Sequence, residues 1–183
     1  SPTTEKELLP LIHRCWPYIV KRISPKEEPF VILEAVSLIQ ELAKWTGDFV
    51  GQRIVDDVWP NIKKILQENE KEQGRRDLIR REKYAVRSKW DVAVLKMALQ
   101  VVKSTRTTEE TRWDITLLLR SLLDERQDEA TQQAAVDLYV ELFKRNPSGT
   151  WLALKGAGCD TGLPRFLRLP AHLDITANCN RIY

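Results

Sequence analysis

The segment Cys15-Trp16-Pro17-Tyr18-Ile19-Val20-Lys21 returns 43 positions later as Val58-Trp59-Pro60-Asn61-Ile62-Lys63-Lys64. The apolar position upstream of each tryptophan matches as well, Ile12 with Val55. A period in the forties that holds two helices, with a proline bending the first, is the signature of HEAT or armadillo units. Units of this kind cannot bury their apolar faces singly, so they stack. A short alignment competes with an irregular helical bundle, and further periods along the chain decide between them.

Apolar residues recur at helical spacing almost everywhere, and no stretch alternates with a period of two between hairpin turns. Residues 8 to 23 place Leu8, Leu11, Ile12, Cys15, Ile19 and Ile23 on roughly one face. Pro17 removes an amide donor there, which predicts one bent helix or two short ones. Ser24-Pro25 and Pro29 punctuate a turn, and the next helix carries Ile32, Val36, Ile39 and Leu42 or Ala43 as its main stripe, ending at Gly47. A second apolar side, Val31, Leu38 and Trp45, predicts packing on two sides. Phe49 to Gln67 reads as another helix, with Phe49, Ile54, Val55, Val58, Ile62, Ile65 and Leu66 apolar and Pro60 inside it.

The polar run 68–76 with Gly74 reads as an exposed connection. Beyond it, Val92, Leu95, Leu99 and Val102 align as the second helix of the second pair. Thr107-Thr108-Glu109-Glu110 has the capping-box form, and Leu117, Leu118, Leu119, Leu122 and Leu123 follow. Asp128 caps a helix lined by Ala135, Leu138, Tyr139 and Leu142, which Asn146-Pro147 stops, with Pro147 opening a short helix through Trp151 and Leu154. The expectation is thus a HEAT/armadillo-like α-solenoid of about three helix pairs, at about 8–45, 49–104 and 108–145, with a capping helix at 147–156. Residues 157–183 read as an irregular tail, either packed over the last pair or ordered by a partner. Leu8, Leu11 and Ile12 would meet water at an open end, which predicts further repeats before Ser1.

With 183 residues and 43% hydrophobic content the chain can bury a core, yet no apolar run approaches the roughly 20 residues that span a bilayer. The first seven residues lack the basic and apolar blocks of a secretory signal. Cys15, Cys159 and Cys179 are scattered, with no CxxC pair, which argues against a disulfide framework or a zinc cluster and for a reducing, intracellular home.

No catalytic constellation emerges. His13 and Cys15 lie two apart on a helix and point in different directions. His172 and Asp174 have no nucleophile elbow or ligand set beside them, and the glycines fit neither phosphate-loop pattern. Asp56-Asp57 and Glu109-Glu110 read as solvated faces or first-turn dipole partners. Neither an enzyme, nor a cofactor, nor a metal is expected. The six tryptophans, Trp16, Trp45, Trp59, Trp90, Trp113 and Trp151, read as core anchors rather than a stacking surface.

Charge is concentrated. Between Arg75 and Trp90 there are seven basic residues against two acidic ones, a local +5 in a chain whose net charge is only +3. Arg76, Arg80, Arg81, Lys83 and Arg87 are the candidate partner contacts, because helical spacing clusters them. Three readings stay open for them: a solvated face, a site for an acidic protein, or a site for nucleic acid or another polyanion. Glu82 and Asp77 dilute the charge, and only Tyr84 supplies an aromatic for stacking.

Several segments together resemble one known family. They are LLPLIHRCWPYIVKRI at 8–23, VILEAVSLIQELAKWTGDFVGQRIVDDVWPNIKKI at 31–65 and LFKRNPSGTWLAL at 142–154. The pattern Leu-Leu-Pro-Leu-x-His-x-x-Trp-Pro at 8–17 and the pair Asp48-Phe49 are the most specific parts. They are similar to the C-terminal helical repeats of the Tel2-interacting family that forms the largest subunit of the Triple-T cochaperone complex. The tail after residue 156 departs from that pattern. The resemblance implies a non-enzymatic scaffold, cytoplasmic and nuclear, that binds Tel2-like and Tti2-like subunits. Through that complex it would serve the Hsp90 machinery and client phosphatidylinositol-kinase-related kinases of the TOR, ATM, ATR and DNA-PK type.

Overall fold

The computed structural model describes residues 2–46, 48–73, 84–123 and 127–156, without the side chains of 2–7, 48, 69–73, 84–87 and 155–156. Among the described residues there are eight α-helices, one π-helical turn, one 3-10 turn and no strand, so the chain is all-α. Two compact units divide it, Ser1–Arg106 and Thr107–Tyr183.

The first unit opens with α1, Pro2–Lys21, one helix that contains both Pro10 and Pro17. Its inward face differs from the expected one. Ile12, Trp16 and Ile23 are buried, whereas Leu11 and Cys15 are exposed. The spacing 12, 16, 19 or 20, 23 is as good a helical stripe as the one through Cys15, and burying the Trp16 indole removes far more apolar area from water than burying a thiol. The helix closes on tight three-residue bonds, Arg22 N–H to the Ile19 carbonyl and Ile23 N–H to the Val20 carbonyl, each at 3.0 Å.

Helix α2, Pro29–Thr46, starts with proline at its first position, where no amide donor is needed. Ile32, Leu33, Ala35, Val36 and Ile39 are buried along it. Its last turn is finished by Thr46, whose hydroxyl donates to the Leu42 carbonyl at 2.7 Å. The second apolar side does not pack as expected within the chain, since Leu38 is 46% and Trp45 69% exposed.

The expected helix from Phe49 to Gln67 is three pieces: α3, Asp48–Arg53, a π-helical turn, Ile54–Val58, and α4, Trp59–Gln73. Pro60 fits the widened turn but does not alone produce it, since Pro17 holds the matching position in an unbroken α1. Pro60 has no N–H for the Asp56 carbonyl and its ring would crowd that oxygen in an ordinary turn. The chain widens here, and the Trp59 N–H reaches back five residues to the Ile54 carbonyl. The widened turn also changes the repeat. Ile12 and Trp16 are buried at a spacing of four, whereas the buried partner of Trp59 is Ile54, five residues back, and Val55 is only half-buried. Ile54, and not Val55, is therefore the counterpart of Ile12.

Helix α5, Tyr84–Lys103, packs on α2, α4 and the π-helical turn. Contact on several sides buries more of it than a single stripe: Ala93, Val94, Leu95, Met97, Ala98, Val101 and Val102 are inside. Gln40 of α2 reaches across and donates to the Ala93 carbonyl at 2.7 Å.

The second unit comprises α6, Glu109–Leu119, a 3-10 turn, Arg120–Leu123, α7, Glu129–Arg145, and α8, Pro147–Gly156. Thr108 caps α6 by accepting from the Thr111 N–H at 3.2 Å, so the helix starts one residue later than a box from Thr107 to Glu110 would place it. Asp128 caps α7 as read from the sequence, accepting from the Thr131 N–H and hydroxyl at 3.0 and 2.8 Å. Ala135, Leu138, Tyr139 and Leu142 are all buried on α7. Asn146 ends that helix and begins the next: its N–H donates to the Leu142 carbonyl, and its Oδ1 accepts from Gly149 at 2.9 Å.

The tryptophans divide. Trp16 and Trp59 are buried and Trp90 is half-buried, but Trp45, Trp113 and Trp151 are exposed. The core-anchor reading therefore holds for the repeat pair and fails for these three within the chain.

Candidate functional site

Of the sequence-derived contact residues, Arg76, Arg80, Arg81 and Lys83 lie outside the described residues, and Arg87 lies in the first turn of α5 with its side chain undescribed. The 157–183 tail, with Cys159, Cys179, His172 and Asp174, also lies outside them.

A different cluster forms a groove in the first unit. His13, Trp16 and Pro17 of α1 face Phe49, Gln52 and Arg53 of α3, Asp56 and Asp57 of the π-helical turn, and Arg106, around a space of about 490 Å³. At its centre the Arg53 guanidinium lies 4.9 Å from the Phe49 ring centre and 5.7 Å from that of Trp16. Both are within the range at which a ring quadrupole attracts a cation. Arg53 Nη2 donates to His13 Nδ1 at 2.7 Å, which requires a neutral imidazole with its proton on Nε2.

The acids of the groove have partners of their own. The Trp16 indole donates to Asp57 Oδ2 at 2.7 Å. Asp56 Oδ2 lies 3.5 Å from Arg106 Nη2, and Arg106 also approaches Gln52 at 3.4 Å. Among the described residues, none places a carboxylate within ion-pair distance of Arg53. Asp56 and Asp57 are exposed, as read from the sequence, and also border this groove.

Among the lining residues there is no hydroxyl, thiol or amine to act as nucleophile. No group of three metal-ligating side chains stands together among the described residues. The half-buried Arg53 guanidinium stands within cation–π range of two rings, in a groove whose two arginines are matched in number by Asp56 and Asp57.

Reading from sequence missed Arg53, and one signal was present. Phe49, Arg53 and Asp56 follow one another at i, i+4 and i+7, a cation and an aromatic on the same helical face. The other half of the groove, on α1, is some forty residues away and is supplied only by folding.

No helix of the described residues is long and apolar enough to cross a membrane. No solved structure matches the chain. Similarity does extend to the protein named "TELO2-interacting protein 1 homolog": the mouse protein is 27% identical over 157 residues and the human protein 26% over 155. These matches cover 86% and 85% of this chain, and the chain spans only 14% of either relative's length. The family model described as "TTI1 C-terminal TPR domain" matches residues 2–151, through both compact units. TPR, HEAT and armadillo units are all stacked helix pairs, so the helical-repeat class read from the Trp-Pro period agrees with that description. The chain belongs to the TTI1 C-terminal TPR domain family.

Proposed function

We propose that this chain is the C-terminal binding region of a non-enzymatic scaffold, which joins a Tel2-like and a Tti2-like subunit into a Triple-T cochaperone complex. Through that complex it supports Hsp90-dependent maturation and stability of phosphatidylinositol-kinase-related kinases, in the cytoplasm and nucleus. The observation that supports the reading is family membership over residues 2–151, together with relatives whose name states an interaction with TELO2. Its physical rationale is that stacked helix pairs expose long ridges suited to other helices. The groove around Arg53 is one such surface on this chain.

The test is reconstitution. Full-length protein, intact or lacking residues 8–154, is co-expressed with the Tel2-like and Tti2-like subunits and purified. Intact protein is expected to bring both along, and the shortened form to lose the Tti2-like subunit. Retention of both subunits by the shortened form would remove this region from the assembly. Hydrogen exchange on the intact complex then shows which helices become protected.

A further inference from the structure

We infer that the outward face of α2 is a seam for one helix of a partner protein, whose apolar stripe carries lysine or arginine where it meets Glu34 and Glu41. The inference rests on the scaffold reading above and names the chemistry of one partner contact.

The register of that face carries the argument. Val31, Leu38 and Trp45 follow one another every seven residues, with Glu34 and Glu41 between them at the same spacing. The buried residues of α2, Ile32, Leu33, Ala35, Val36 and Ile39, occupy the opposite side. Glu34, Leu38, Glu41 and Trp45 are exposed, Val31 is half-buried, and Phe30 stands 65% exposed at the start of the same face. A strict seven-residue apolar interval, with a second line three residues on, marks a helix that packs lengthwise on another at a shallow angle. Carboxylates in the second line give such a seam a choice of partner.

Charge makes that choice. Glu34 has no cation within ion-pair distance among the described residues. Glu41 meets Lys44 at 2.5 Å, in a pair exposed on both sides that binds weakly. The face is therefore locally acidic in a chain of net charge +3. A wholly apolar helix would strip water from these carboxylates and return nothing. A helix with lysine or arginine at those points replaces the water with charge-assisted hydrogen bonds, while Leu38 and Trp45 cover apolar groups between them.

Two arms test this on the full-length protein. In the first, two fluorescein-labelled three-heptad peptides are compared by anisotropy. Both carry leucine at each first heptad position and alanine or glutamine elsewhere, and they differ in having lysine or glutamate at each fourth position. The lysine peptide is expected to bind roughly tenfold more tightly, and the double variant Glu34→Lys with Glu41→Lys to reverse the preference. Equal binding of the two peptides, or the same preference in both proteins, overturns the inference. In the second arm, affinity for the Tel2-like and Tti2-like subunits is measured with that double variant and with Leu38→Asp. Both are expected to lose about tenfold for the same subunit. Unchanged affinity for both subunits overturns the inference. A photo-crosslinker in place of Trp45 is expected to mark the affected subunit, and a crosslink within the polypeptide or to a second copy overturns the inference. If wild-type protein binds neither subunit, the scaffold reading fails and the peptide arm still judges the seam. Trp45→Ala takes the place of Leu38→Asp if the latter does not fold.

Discussion

Trp16 and Trp59 occupy matching positions in the repeat and are equally buried, but only Trp16 has its indole N–H satisfied, by Asp57 at 2.7 Å. The Trp59 Nε1 is buried with no hydrogen-bond partner among the described residues. A buried indole without a partner forfeits its hydration for nothing, whereas one that donates to a carboxylate recovers it.

Trp16→Phe is therefore expected to destabilise the protein more than Trp59→Phe. Both remove similar volume, and only the first breaks a hydrogen bond, to an Asp57 that water still reaches. The difference should be about 0.5 to 1.5 kcal/mol, measured by urea denaturation of the two variants side by side. Equal losses would mean that the Asp57 bond contributes nothing net.

Tyr139 predicts an alkaline limit. Its hydroxyl is buried and donates to the Thr116 carbonyl at 2.6 Å, and burial pushes its ionisation far above the ordinary value of 10.0, with the Arg120 charge offsetting a little. Below pH 10 both folded and unfolded chains keep this proton, so the group adds no pH dependence there. Above it the unfolded chain releases the proton and the folded chain cannot, so stability falls by up to about 1.4 kcal/mol per pH unit. Tyr139→Phe should cost about 1 kcal/mol at neutral pH and flatten that alkaline slope. Superimposable stability profiles for the two proteins between pH 9 and 11 would refute it.

The helix ends of the second unit make a third expectation. Asp128→Ala removes two hydrogen bonds at the start of α7 and should cost about 1 to 2 kcal/mol. Gly149→Ala should gain nothing from its better helix propensity, since a Cβ there would come within 2.8 to 3.0 Å of the Asn146 side chain and displace it from its cap, a loss of about 1 kcal/mol that offsets the gain. Thermal melts of both variants check this, and a raised Tm for Gly149→Ala would show that Asn146 can turn aside freely.

Arg106→Gln, by contrast, should leave stability within about 0.5 kcal/mol of wild type. Its pair with Asp56 is half-exposed on both sides at 3.5 Å, where water and salt screen most of the attraction. A loss above 1 kcal/mol in 0.15 M salt would give that bridge a weight that the exposure argues against.

Local features were legible in the sequence because their causes are local. Asp128, Asn146-Pro147 and the Ala135, Leu138, Tyr139, Leu142 stripe each act within a turn or two, and the structure places all of them as read. The face of α1 was not legible, because the choice between Cys15 and Trp16 depends on what α1 packs against. Trp45, Trp113 and Trp151 misled for a similar reason, since a large apolar side chain does not say how far the rest of the chain will cover it. The groove was out of reach because Arg53 acquires its meaning only when His13 and Trp16 arrive from α1.

The widened turn at Ile54–Val58 holds one residue more than the matching stretch of α1 has between its buried isoleucine and its tryptophan. An alignment of the two copies without a gap therefore pairs the wrong residues upstream of Val58 and the right ones downstream. Excising one residue there would let an ordinary turn close and would swing α3 by about 100° about its axis. Arg53 would then be carried away from His13, and Val50 out of the core, so the extra residue keeps groove and core in register at once.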